Sequence, residues 1–182
     1  MEPHPEPDPL SGSRPAHPAA DAEGPAPASR ALARVGLYVH VPFCAVRCRY
    51  CDFSSGSLSA EKLARYLDAM EREALRRAPA ATGVAFTSVF FGGGTPSALS
   101  ARHFGQLMAL LRRHFTIAAD AEITLEANPE SVRDPLLAAW RAGGVNRLSF
   151  GVQSFHADEL QQLGRIHDAQ RPAEAVTLAP VG

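Results

Sequence analysis

Cysteine is scarce in this sequence of 182 residues, and its three thiols lie within eight positions, at Cys44, Cys48 and Cys51. Three clustered cysteines exclude an ordinary disulfide framework, which needs pairs spread over a fold. No run of 18 apolar residues occurs, so no membrane-spanning helix is expected. An excess of positive charge is also missing: 18 basic and 19 acidic residues give a net charge of −1, which argues against a nucleic-acid binder.

The first 33 residues lack the large apolar side chains that a packed core requires. Residues 1–30 contain eight of the 15 prolines, and Leu10 is their one large aliphatic residue. We therefore expect residues 1–33 to form a disordered tail rich in proline and alanine. The tail has no apolar segment typical of a secretory signal, and its five acids against two arginines are unlike a mitochondrial transit peptide. These features predict a cytoplasmic protein.

From about residue 35, predicted strands and helices alternate. Apolar runs predict strands over residues 37–41, 86–91, 122–127 and 145–151. Helical spacing predicts helices over 60–77, after Ser100, from Asp134 to the glycines at 143 and 144, and over about 156–163 and 169–178. Four β–α repeats in this order indicate an α/β fold with a parallel sheet and right-handed crossovers.

The length of this region limits the architecture. A closed eight-stranded barrel needs about 250 residues, whereas about 150 residues support four β–α units. Residues 34–182 are therefore either a small open α/β domain or the first part of a larger barrel. The sequence ends in AVTLAPVG without a fifth strand, so we expect a truncated barrel with an open sheet edge, poor solubility and no turnover when expressed alone.

The cysteines follow the first predicted strand, at the edge of the sheet where such folds bind ligands. Three thiolates can hold three irons of a 4Fe–4S cluster and leave the fourth iron open to a substrate or cofactor. The alternative is structural zinc, for which His40 could supply a fourth ligand. The spacing favours the cluster because zinc sites more often show two separated ligand pairs.

Other candidate residues follow the later strands. The run Gly92-Gly93-Gly94-Thr95-Pro96 lets the backbone pass close to a ligand, but it matches neither the dinucleotide fingerprint nor the P-loop. Glu126 and Gln153 lie at the ends of the third and fourth strands, at the same rim as the cysteines. Each of these features alone is more often a tight turn or a solvated loop residue.

The segment YVHVPFCAVRCRYCDF (38–53) closely resembles the cluster loop of the radical S-adenosylmethionine superfamily. Within that superfamily it is similar to the branch of HemW heme chaperones and oxygen-independent coproporphyrinogen III oxidases. Four further motifs follow in the same order: FFGGGTPSAL (90–99), LEANPES (125–131), GVNRLSFGVQSF (144–155) and LGRIH (163–167). The resemblance covers roughly residues 36–170, and it implies an incomplete TIM-like (β/α) barrel.

The resemblance also implies cofactors and their ligands. Cys44, Cys48 and Cys51 would hold a 4Fe–4S cluster, which reduces and cleaves S-adenosylmethionine to a radical. The implied binding residues for S-adenosylmethionine are Tyr38, Gly93, Gly94, Thr95, Glu126, Gln153 and Arg165. A low-potential electron donor such as flavodoxin or ferredoxin is the implied redox partner.

One position bears on the choice within the branch. The oxidases carry a fourth cysteine two positions after the third, where this sequence has Phe53. The resemblance thus favours a HemW-type chaperone that binds heme and delivers it to apo-respiratory proteins. The second reading is an oxidase that decarboxylates coproporphyrinogen propionates to vinyl groups, so enzymatic activity stays open. A zinc-stabilised interaction module is a third reading.

The remaining histidines and the tryptophan are assigned no chemistry. His103, His114, His156 and His167 are scattered over helices and loops, and we interpret them mainly as surface or capping residues. Trp140 shares the apolar face of a short helix and is expected in the core. Asn128-Pro129 is expected only to shape the turn after the third strand.

Overall fold

The computed structural model describes residues 35–179, so the predicted tail over 1–33 lies outside the described residues. The strands are β1 (Gly36–Val41), β2 (Phe43–Cys44), β3 (Gly56–Ser57), β4 (Ala85–Gly93), β5 (Thr116–Ala127) and β6 (Arg147–Phe150). The helices are α1 (Ala60–Arg77), α2 (Ala101–His114), α3 (Asp134–Ala142), α4 (Ala157–Leu163) and α5 (Arg171–Leu178). The predicted α/β class is confirmed.

A four-stranded parallel sheet carries the fold, in the order β1-β4-β5-β6. Each long strand pairs with the next one along the chain, and the order does not reverse as it does in a doubly wound fold. This arrangement is that of successive units of a barrel. The remaining strands, β2 and β3, form a separate parallel pair at the two ends of the cysteine loop.

Two serines define the starts of the long helices. The hydroxyl oxygens of Ser59 and Ser100 accept hydrogen bonds from the backbone N–H groups of Lys62 and His103, which cap α1 and α2. Both helices begin where the sequence predicts. Helix α2 buries its apolar face, with Phe104 and Leu107 fully enclosed.

The hydrophobic core lies between one face of the sheet and the helices. Its largest fully buried side chains are Trp140, Phe91, Phe104, Leu99, Leu107, Met108, Leu111 and Leu125. The core position expected for Trp140 is confirmed. The other face of the sheet is more open, and the side chain of Tyr38 on β1 is 58% exposed there.

Three strand boundaries differ from the sequence-based prediction by two residues or more. Strand β4 continues through Gly92 into Gly93, because β1 remains alongside as its hydrogen-bonding partner. Strand β5 begins six residues early, at Thr116, and a register shift separates its two parts. Strand β6 begins late because the Asn146 side chain forms the hydrogen bonds to β5 that a strand backbone would form. Its Oδ1 accepts a hydrogen bond from the Ile123 N–H (2.8 Å), and its Nδ2 donates one to the Ala121 carbonyl (2.9 Å).

No helix within residues 35–179 is long and apolar enough to cross a membrane.

Candidate functional site

A cavity of about 370 Å³ opens at the carboxyl ends of the parallel strands. Its volume lies within the range of roughly 300–1,000 Å³ that is typical of small-molecule sites. The structure brings nearly all of the predicted site residues to its walls: Cys44, Cys48, Cys51, Gly93, Gly94, Thr95, Glu126, Gln153 and Arg165. Tyr38 is the exception, since it lies on the open sheet face and does not line the cavity.

The three cysteines are half-buried, and their thiols are free within the described part of the chain. Two of the sulfurs face hydrogen-bond donors. The Thr95 hydroxyl donates to Cys44 Sγ and the Arg165 Nη1 group donates to Cys48 Sγ, each at 3.4 Å. Hydrogen bonds to sulfur are one of the means by which proteins tune iron–sulfur centres. The donor set therefore fits a thiolate-bound cluster.

The grouping of side chains does not separate zinc from a cluster. Among residues 35–179, no three His, Cys, Asp or Glu side chains, the three cysteines included, lie closely enough together to hold a single metal ion. His40, the candidate fourth zinc ligand, is engaged elsewhere: its Nδ1 lies 3.1 Å from the Tyr38 hydroxyl.

The glycine turn is fastened directly to the cysteine loop. The backbone N–H of Gly94 donates to the Val41 carbonyl (2.8 Å), and that of Thr95 donates to the Phe43 carbonyl (2.7 Å). A Cβ atom at position 94 would lie 2.7 Å from the carbonyl oxygen of Phe43. Because the obstacle is backbone, position 94 requires glycine.

Gly93 is constrained for a different reason. Its φ is +108°, and a Cβ atom there would lie 2.5 Å from the ring of His40. We expected glycine to leave room for a ligand, but at both positions the protein itself fills the space next to the missing Cβ. The glycines let two loops interlock at the cavity wall.

Glu126 lies beside this turn and is half-buried on β5. Burial raises the pKa of its carboxyl group above the ordinary value, while a hydrogen bond from the backbone N–H of Gly93 lowers it in part. The pKa of the Tyr38 hydroxyl is also raised, first by burial and then by the negative charge of Glu126. Tyr38 is therefore near the carboxylate although it is outside the cavity lining.

Gln153 occupies an unusual backbone conformation at the rim. Its φ is +69°, and it is the one residue other than glycine with positive φ among residues 35–179. Positive φ is costly for a side chain of this kind and often accompanies function.

Arg165 is buried, with 5% of its side chain exposed. Its Nη2 donates to Asn128 Oδ1 and to the Gly151 carbonyl, both at 2.8 Å. Within the described residues, its buried Nε group has no hydrogen-bond partner. Arg165 thus connects the cysteine loop to the turns after β5 and β6, and its contact with a cofactor stays a prediction.

Two interpretations of individual residues are corrected. His167 is neither a surface nor a capping residue: its side chain is fully buried, between Glu130 Oε2 (3.2 Å) and the Val152 carbonyl (3.1 Å). Asn128 does more than shape a turn, because its side chain accepts from Arg165 and lines the cavity. Asn128 belongs to the motif LEANPES and His167 to the motif LGRIH, and only the tertiary structure shows that the two motifs meet.

Comparisons with known proteins agree with this geometry. A family model described as the Radical SAM superfamily matches residues 38–180. The heme chaperone HemW of Escherichia coli strain K12 is 40% identical over 149 residues, which are 81% of this chain and 39% of that protein. The mitochondrial radical S-adenosyl methionine domain-containing protein 1 of Bos taurus is 42% identical over 174 residues, 92% of this chain and 38% of that protein.

A solved structure is also similar. It is the coproporphyrinogen III oxidase HemN of Escherichia coli, described as a radical SAM enzyme, which is 36% identical with a TM-score of 0.74. The match covers 81% of this chain and 36% of that structure. The chain therefore spans about two fifths or less of the length of the relatives it matches.

Proposed function

Since the chain belongs to the radical SAM superfamily, we propose that its cavity binds a 4Fe–4S cluster and S-adenosylmethionine in the service of heme delivery, as in the HemW branch. The family implies both cofactors, whereas heme binding and the residue assignments are our proposal. When bound, the two cofactors would supply radical chemistry.

A single observation carries the proposal: the three thiols line the same cavity as the glycine turn and Glu126. In this arrangement Cys44, Cys48 and Cys51 would hold iron, and Thr95 and Arg165 would keep two of the sulfurs hydrogen-bonded. A cofactor bound between the cysteine loop and the strand ends would meet the carboxylate of Glu126 on one side. This carboxylate suits a ligand with hydroxyl or ammonium donors.

Phe53 supports the chaperone over the oxidase. It stands where the resembled oxidases have a fourth cysteine, its side chain is 63% exposed, and it lines the cavity. The apolar ring of Phe53 presents a flat surface to a ligand, whereas a cysteine at this position would present a thiol. The partner that we propose is therefore heme, with a low-potential electron donor and apo-heme proteins as further partners in the cytoplasm.

Anaerobic reconstitution tests the cluster. We expect about four irons and four sulfides per chain and loss of iron in Cys48→Ala, whereas Ser54→Ala, an exposed position in the same loop, keeps its iron. Stoichiometric zinc without sulfide would contradict the proposal and favour the interaction module.

Two assays with the reconstituted protein bear on the choice between chaperone and oxidase, and because no turnover is expected of this chain alone, heme binding is the result that supports the chaperone. Titration with hemin, followed in the Soret band, is expected to show saturable binding. Incubation with coproporphyrinogen III, S-adenosylmethionine and a reductant is expected to yield no vinyl product. Decarboxylation in that assay would establish the oxidase reading instead.

A further inference from the structure

The turn after β6 is strained and carries a predicted cofactor ligand. Residues 150–154 make two successive i→i+2 hydrogen bonds: the N–H of Val152 donates to the Phe150 carbonyl (3.0 Å), and that of Ser154 donates to the Val152 carbonyl (2.9 Å). The second bond closes a γ-turn around Gln153, whose φ is +69°. A γ-turn with positive φ is rare and strained, so surrounding contacts must hold it.

Two basic side chains hold this turn through consecutive carbonyl groups. Arg165 Nη2 donates to the Gly151 carbonyl at 2.8 Å, and His167 Nε2 lies 3.1 Å from the Val152 carbonyl. The Val152 carbonyl thus accepts both from His167 and from the N–H that closes the γ-turn. Without His167, the Val152 carbonyl would lose its side-chain hydrogen-bond donor.

His167 is in turn fixed by Glu130, whose Oε2 lies 3.2 Å from Nδ1. The Glu130 carboxyl oxygen and the Val152 carbonyl oxygen thus each lie beside one ring nitrogen of His167, which fixes the orientation of the ring. The same Glu130 oxygen lies 3.9 Å from Arg165 Nη2. One carboxylate therefore orients both side chains that hold the turn.

We propose that His167, oriented by Glu130, is a positioning residue that keeps Gln153 in its strained conformation at the cavity rim, where the proposed function needs it for S-adenosylmethionine. His167 does not line the cavity, so it acts through the Val152 carbonyl and not by contact with the cofactor. The inference rests on the proposed function in one respect: it takes the ligand to be S-adenosylmethionine.

The binding test is a double-mutant cycle on the full chain after anaerobic reconstitution. The dissociation constant of S-adenosylmethionine is measured for wild type, His167→Gln, Gln153→Ala and the double variant, with iron and sulfide content determined for each. Glutamine at 167 keeps one donor but cannot reach both partners. His103→Gln, a histidine on α2 away from the cavity, is the matched control.

We expect His167→Gln to weaken binding about tenfold with iron content unchanged, because a buried hydrogen bond is lost and the turn relaxes. In the Gln153→Ala background, His167→Gln should raise the dissociation constant less than about twofold, since His167 acts through Gln153. Affinity equal to wild type in His167→Gln, or losses that simply add in the double variant, would overturn the proposal.

Two measurements on the chain without cofactors keep the inference separate from the proposed function. Amide hydrogen exchange at Ser154 should be at least about tenfold faster in His167→Gln than in wild type. Gln153→Gly should raise the melting temperature, because glycine adopts positive φ without strain. If wild type does not bind S-adenosylmethionine, the proposed function fails, and unchanged exchange at Ser154 or a lower melting temperature in Gln153→Gly would still refute the positioning role.

Discussion

The hydroxyl group of Thr95 donates a hydrogen bond to the sulfur of Cys44 at 3.4 Å, although the two residues are 51 positions apart. Thr95 is itself 8% exposed, so little water competes for this contact. The bond links the glycine turn after β4 to the cysteine loop after β1. It therefore makes the environment of one proposed iron ligand depend on a residue from another β–α unit.

Replacing Thr95 by valine should lower the reduction potential of the reconstituted cluster. Valine keeps the shape of threonine but removes the donor, and a sulfur without a hydrogen bond stabilises the reduced cluster less. A hydrogen bond with a net free energy of ~0.5–1.5 kcal/mol corresponds to a change of about 20–60 mV in the reduction potential of a one-electron couple. A redox titration followed by electron paramagnetic resonance measures the shift, and Thr95→Ser should retain the wild-type potential.

Gly94→Ala should lower the free energy of unfolding by about 2 kcal/mol or more. Overpacking against backbone atoms that cannot move costs roughly 1–3 kcal/mol. The substitution would also strain the hydrogen bonds that Gly94 and Thr95 donate to Val41 and Phe43. The added methyl group would meet the backbone of Phe43 and Val41. The free energy of unfolding in urea measures the change.

Gly105→Ala is the matched control for Gly94→Ala. Position 105 lies within α2, and a Cβ atom there meets nothing within 4 Å. Alanine is a better helix former than glycine, so this variant should be more stable by ~0.5–1 kcal/mol. Equal effects of the two substitutions would contradict the steric argument.

Glu126→Gln should make the protein more stable at neutral pH and less able to bind cofactor. Burial raises the pKa of the Glu126 carboxyl group in the folded state. The protonated carboxyl group therefore contributes its whole share of the folding free energy below the pKa that Glu126 has in the unfolded state. This share is lost as the pH rises through the pKa of the folded state. The neutral amide has no such loss. The stability difference between variant and wild type should therefore grow from about pH 4 to about pH 7 in urea unfolding.

Asn146→Ala should cost about 2 kcal/mol of unfolding free energy, because it leaves the N–H of Ile123 and the carbonyl of Ala121 without their side-chain partner. Asn146→Asp should be at least as damaging, since a carboxylate cannot donate to the Ala121 carbonyl. Denaturation monitored by circular dichroism checks both variants. Stability equal to wild type in Asn146→Ala would show that these bonds contribute nothing.

The elements that the sequence predicts well are those whose causes are local. Ser59 and Ser100 cap helices whose apolar spacing is visible within one turn, and both boundaries agree with the structure. The common location of the candidate site residues was predictable to a similar degree, because parallel strands bring their carboxyl ends to one edge. Thus Cys44, Glu126 and Gln153 reach one cavity although they lie far apart in the chain.

The features that escaped prediction depend on distant contacts. His167 is buried beside Glu130, which lies 37 positions earlier in the chain, and no local pattern marks such a pair. The short β2–β3 pair joins Phe43 to Gly56 across the cysteine loop, and two-residue strands carry no periodic signal. The glycine turn was recognised from its composition, but the reason for glycine at positions 93 and 94 required the positions of His40 and Phe43.

The backbone N–H groups of Gly94 and Thr95 donate hydrogen bonds to the carbonyl groups of Val41 and Phe43. These bonds join the glycine turn and the cysteine loop into a single structural unit. Where one ligand bound to such a unit changes the affinity for a second, the second changes the affinity for the first by the same factor, as thermodynamic reciprocity requires. Iron in the cysteine loop would then tighten S-adenosylmethionine binding, and S-adenosylmethionine would slow iron loss to a chelator. If both cofactors bind as proposed, the interlocked backbone would make cofactor occupancy and cluster retention one cooperative property.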